Sequence, residues 1–135
     1  MFDTKIVIVV REDLAMWQKL NVTAFLATGL AGANPGLLGE PYLDRDGNRY
    51  SPLAAQPMIV LAAGGARLKS IHARALARGI ELALYTGEMF ATGHDEANRA
   101  VVAEYAAADL NIVGLALRAE RKLADKITKG AKMHP

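Results

Sequence analysis

Lys5-Ile6-Val7-Ile8-Val9-Val10 is an almost unbroken β-branched apolar run, and Val113-Gly114-Leu115-Ala116-Leu117 repeats its character near the other end. Runs this short and this apolar suit central strands buried on both faces. The stretch between them alternates. Residues 4–10 are predicted as strand and 13–31 as helix, the helix capped by Asp13. Apolar side chains recur in it at Leu14, Trp17, Leu20, Val22, Phe25, Leu26 and Leu30. A helix apolar over so much of its circumference is expected to be well buried. Residues 42–51 are predicted as a hairpin around Asp46-Gly47, outside the main core. Strands are predicted at 57–63, 81–85 and 110–118, and helices at 66–78, 96–107 and 119–129. Strands alternating with helices predict helical layers on both faces of a sheet.

The chain has 135 residues, which suits a single domain over 1–135. Ala and Gly are abundant and aromatics few, so tight layers are expected rather than a large aromatic core. There is no cysteine, which excludes disulfides, thiolate catalysis and Cys-based zinc sites and fits the cytoplasm. The opening Met-Phe-Asp-Thr-Lys lacks signal-peptide regions, and no apolar run approaches the roughly 20 residues that span a bilayer. A net charge of +2 argues little for nucleic acid. Lys122, Lys126, Lys129 and Lys132, at helical spacing, are the candidate RNA-binding residues, but no stacking aromatic accompanies them and a solvated face is favoured.

Other motifs are weaker. The calcium-loop template fails around Asp44-Arg45-Asp46-Gly47: Tyr42 falls where its first carboxylate belongs and Leu53 where its closing glutamate belongs. Gly64-Gly65 precedes a helix without dinucleotide or Walker spacing, so a turn is favoured over a phosphate site. His72, His94 and His134 form no metal-binding spacing, and His72, beside Arg74, is expected in solvent. No cofactor or metal is expected.

Tyr85 through Arg99 carries the densest set of functional side chains and follows a strand, where ligands collect in open α/β sheets. Glu88 is the candidate base. Thr86, Thr92, Asn98 and Arg99 are candidate substrate contacts, together with Asn21 on the first helix. The plain alternative is a loop and a helix capped by Asp95, with Arg99 paired to a carboxylate. Lys19 either snorkels to solvent or sits in a pocket.

Arg11-Glu12-Asp13-Leu14, Lys19, Val113 to Leu117 and Asp125-Lys126-Ile127-Thr128 together resemble the type II peptidyl-tRNA hydrolase fold. Over nearly its whole length the chain resembles an uncharacterised family, domain of unknown function two thousand. Trp17 to Phe25, Gly39 to Tyr42 with Asp46-Gly47-Asn48, Phe90 to Arg99 and Lys129 to Pro135 carry that likeness. The resemblance implies a three-layer α/β/α sandwich: a mixed four-stranded central sheet between helices, plus the small hairpin. It puts Lys19 in the place of a helix lysine of the hydrolases. The glutamine and histidine that follow that lysine in the hydrolases have no counterpart in this helix.

The expected function is hydrolysis of an acyl or peptidyl ester, with Lys19 stabilising negative charge and Glu88 activating water. The alternative is a non-enzymatic small-molecule or protein-binding module using the same cleft. Self-association into a homo-oligomer is compatible with either.

Overall fold

The computed structural model describes residues 2–135. Its seven strands are β1 (Thr4–Arg11), β2 (Tyr42–Leu43), β3 (Arg49–Tyr50), β4 (Met58–Ala63), β5 (Ala83–Thr86), β6 (Ile112–Glu120) and β7 (Lys132–Met133). Its four α-helices are α1 (Met16–Ala33), α2 (Gly65–Ala77), α3 (Asp95–Ala103) and α4 (Arg121–Ile127). The central sheet is mixed and five-stranded, in the order β5-β6-β1-β4-β7. Only β1 and β4 run parallel, and β6 is antiparallel to both of its neighbours. β2 and β3 form a separate two-stranded sheet.

The apolar run of β1 lies at the centre and divides its side chains by alternation. Val7 and Val9 face one side, where Leu68, Ile71 and Ala75 of α2 and Ala124 and Ile127 of α4 close over them. Ile6, Ile8 and Val10 face the other side, under Val22, Leu26 and Leu30 of α1. Each large aliphatic side chain buried this way contributes about 1.5–3 kcal/mol.

β6 departs from strict alternation at one point. Tyr85 of β5 pairs with Gly114 and the next residue, Thr86, pairs with Ile112, which leaves Val113 as an extra residue. This β-bulge turns Val113 to the α1 side, while Ile112 joins the α2–α4 side. Gly114 leaves room for the helix above: a Cβ there would stand 2.5 Å from Val22 Cγ1. Gly29 of α1 likewise approaches Ala83, 3.0 Å from where a Cβ would be. The tight layers expected from the small residues are realised at these two contacts.

The structure corrects several expected boundaries. α1 starts at Met16, and the backbone N–H of Ala15 donates to Gln18 Oε1 at 3.0 Å. Asp13 lies too far upstream to cap and pairs with Arg11 at 2.6 Å. α3 is capped by His94, whose Nδ1 accepts the Ala97 N–H at 3.2 Å, and not by Asp95. α4 starts after Glu120, whose carboxylate accepts from Lys122 and Leu123. It stops at Ile127, where the Thr128 hydroxyl donates to the Ala124 carbonyl at 2.8 Å. Arg74 donates to the carbonyls of Ile127 and Lys129, and Gly130 turns the chain at φ +98°. The residues that follow form β7, a fifth strand on the edge of the sheet. Lys122 and Lys126 therefore share a helix, while Lys129 lies in the turn and Lys132 on β7.

The hairpin forms as expected, but Gly47 alone takes a positive φ, +86°. Asp44 organises it, accepting from Asn48 at 3.0 Å and from the Tyr50 hydroxyl at 2.7 Å. Those bonds, with Asn48 first, hold its carboxyl at about 2.

Candidate functional site

α1 meets β5 and the following segment along a ridge of side chains four residues apart: Trp17, Asn21 and Phe25. β5 runs into a 3₁₀ turn, Gly87–Ala91, and then into α3. The turn brings Phe90 against the Trp17 ring edge to face, centroids 5.7 Å apart. Tyr85 lies between Phe90, at 5.2 Å, and Phe25, at 5.8 Å. Few aromatics occur in the chain, yet four of them form one continuous cluster. Tilted and edge-on contacts of this kind add about 0.5–1.5 kcal/mol per pair beyond their area. Burial pushes the Tyr85 phenol above its usual range, so it stays protonated.

Two adjoining clefts open beside this cluster. The larger, of about 680 Å³, is floored by Phe25, Tyr85 and Met89 and walled by Val102 of α3. The smaller, of about 310 Å³, is rimmed by Trp17, Asn21, Thr92 and His94. Phe25, Tyr85, Met89, Asp95 and Asn98 belong to both. The floor is apolar and the polar groups sit at the rim, the usual form of a small-molecule site.

The rim is ordered by its own hydrogen bonds. The Thr92 hydroxyl lies between the Met89 carbonyl, at 2.9 Å, and the side-chain amide of Asn98. It has one proton and serves one of them as donor at a time. His94 accepts at Nδ1 from the first turn of α3, so its neutral ring carries the proton on Nε2 and presents a donor there. Arg99 pairs with Asp95 one turn away, with both side chains largely exposed. Such a pair contributes about 0–1 kcal/mol and leaves Arg99 free to exchange partners.

Of the candidates, Asn21, Thr92, Asn98 and Arg99 line the clefts. The other three candidates lie elsewhere. Thr86 is 2 % exposed and pairs with Ile112 beyond the bulge, on the α2–α4 side. Lys19 shares the sheet-facing side of α1 with Val22 and Leu26, away from the ridge of Trp17, Asn21 and Phe25, and lines neither cleft. Glu88 also lines neither. Its Oε1 accepts from Asn111 Nδ2 at 3.2 Å, and its Oε2 is buried without a hydrogen-bond partner. Asn111 in turn accepts from Arg11 at 3.3 Å.

Sequence reasoning passed over Phe25, Tyr85 and Met89 as ligand contacts. The i, i+4, i+8 spacing of Trp17, Asn21 and Phe25 was the available signal. His72, expected in solvent, is buried on α2, and its burial lowers its pKa. Among the described residues, no three His, Asp or Glu side chains gather to hold a metal ion. No helix among them is long and apolar enough to cross a membrane.

Residues 4–135 match the family described as "Protein of unknown function (DUF2000)". A solved structure of a protein of unknown function from Agrobacterium tumefaciens strain C58 is 54% identical. The match covers 100% of both chains, with a TM-score of 0.98. No curated protein matches the chain.

Proposed function

The chain belongs to the DUF2000 family, and from that premise we propose that it is a binding module for a small molecule with an apolar body and a carbonyl or carboxylate head. The body lies on Phe25, Tyr85 and Met89. The head meets the donors at the rim: the Asn98 and Asn21 amides, His94 Nε2–H and the Arg99 guanidinium. The observation that carries this reading is the apolar floor of Phe25, Tyr85 and Met89 shared by the two adjoining clefts, with Asn98 and Arg99 at the larger and Asn21 and His94 at the smaller. The cleft supports binding better than hydrolysis, because neither proposed catalytic group borders it.

Trp17 is the chain's one tryptophan and stands at the edge of the smaller cleft, so its fluorescence reports on occupancy. Titration with aromatic and branched-chain carboxylates and amides should give saturable changes in that emission. A ligand at 100 times its dissociation constant should raise stability by about 2.7 kcal/mol. Asn98→Ala should weaken binding of the same compound. A panel that produces no saturable change and no thermal shift overturns the reading.

A second reading has one observation in its favour, the buried and unpartnered Oε2 of Glu88. It is hydrolysis of an acyl or peptidyl ester on a scaffold like that of type II peptidyl-tRNA hydrolase, with Glu88 as base and Lys19 as charge stabiliser. Peptidyl-tRNA turnover lost in Glu88→Gln and in Lys19→Ala would support it. Turnover indifferent to both substitutions would end it.

A further inference from the structure

α1 is apolar on the side that faces the sheet and apolar again on the side that faces away from it. The sheet side is accounted for by Val22, Leu26 and Leu30. On the outer side, Met16, Trp17 and Leu20 are 64 %, 61 % and 64 % exposed. Ala24 and Thr28 continue that side, and Phe25 flanks it. In all of residues 16–33 the only charged side chain is Lys19, and it lies on the sheet side. An ordinary surface helix carries its charges outward. This one offers solvent an uncharged face 18 residues long, about 27 Å at 1.5 Å per residue.

We propose that this face is the contact between two copies of the chain, with α1 packed antiparallel against its symmetry mate. Two features favour a second copy over another occupant. A twofold contact brings identical surfaces together, and a face without charge has nothing to repel its own image. An antiparallel pairing also sets the opposed ends of the two helix dipoles side by side.

The area is of the right order. Met16, Trp17, Leu20 and Phe25 at roughly 100–150 Å² each present about 500 Å², and a standard interface needs about 800 Å² per partner. Ala24 and Thr28 let the backbones approach and extend the contact. A membrane surface, by contrast, is gripped by helices with Lys or Arg flanking the apolar face, and α1 has none there. Trp17 borders both this face and the smaller cleft, so the mate would form part of the cleft's outer wall.

Light scattering and sedimentation equilibrium at tens of micromolar test this. The wild-type chain is expected at twice its 14.4 kDa mass. Leu20→Glu and, separately, Ala24→Arg are expected to halve that mass while keeping the wild-type circular dichroism. Both sites are exposed in the single chain, so neither change disturbs its core. A wild-type chain that remains monomeric overturns the proposal, as does a dimer that survives both substitutions. So does a monomer that sediments with phosphatidylserine vesicles. The small-molecule reading is tested apart from these, by Asn98-dependent ligand titration of the Leu20→Glu chain as well as the wild type, since Leu20 lines neither cleft.

Discussion

The two faces of the central sheet are covered by helices of different kinds. α2 sends Leu68, Ile71 and Ala75 inward and keeps Lys69, Arg74 and Arg78 outside the core, which is enough to close its layer. α1 does the same inward work with Val22, Leu26 and Leu30, yet carries bulky apolar side chains outward as well. Its neighbour across the sheet shows that folding does not require the second set. The α2–α4 side is scaffold, and the α1 side adds the aromatic cluster, the clefts and the uncharged outer face.

Substitutions can break that contrast. Leu68→Ala removes a fully buried side chain from the scaffold side and should cost about 2–5 kcal/mol in urea unfolding. Gly114→Ala tests how closely α1 is seated, because the added methyl meets Val22 and Leu26. It should cost about 1–3 kcal/mol and alter the Trp17 emission, which a scaffold-side change of equal cost should leave alone.

His72 gives the scaffold side a pH signature. Burial lowers its pKa from 6.5, so above pH 6.5 both folded and unfolded chains hold it neutral. Below that, the unfolded chain binds a proton that the folded chain resists, and stability falls as pH falls. The melting temperature should therefore drop on acidification from pH 6.5, and His72→Gln should flatten that drop. The smallest effect is expected at Trp17→Ala, about 0.5–1.5 kcal/mol in a single chain, because the side chain is 61 % exposed and loses only its edge contact with Phe90. A large loss there would mean that the outer face serves stability after all.

The legibility of the chain follows the same division. The double-faced burial of β1 and β6 could be read from their short apolar runs, and the start of α2 from the Gly64-Gly65 pair before it. The edge strand β7 could not, because its two residues carry no pattern and their pairing with Leu61 and Ala62 is long-range. Thr92, Asn98 and Arg99 were legible as polar residues clustered after a strand, and Asn21 as a polar side chain in an otherwise apolar helix. Thr86 follows Tyr85 in β5, so strand alternation alone turns it with Leu84 to the side away from the clefts. Lys19 was legible as an oddity in an apolar helix, but helical phase puts it on the wrong side for the cleft.

The bulge at Val113 also sets a rule for insertions and deletions. Counting outward from Gly114 in twos finds the correct side of the sheet toward Leu117, but toward the start of β6 the count is displaced by one. Removing Val113 would bring β5 and β6 back into even step, with Ile112 still opposite Thr86 and still on the α2–α4 side. A frame one residue shorter at that point would thus keep inside and outside as they are, whereas the same loss between Gly114 and Leu117, where alternation is unbroken, would exchange them.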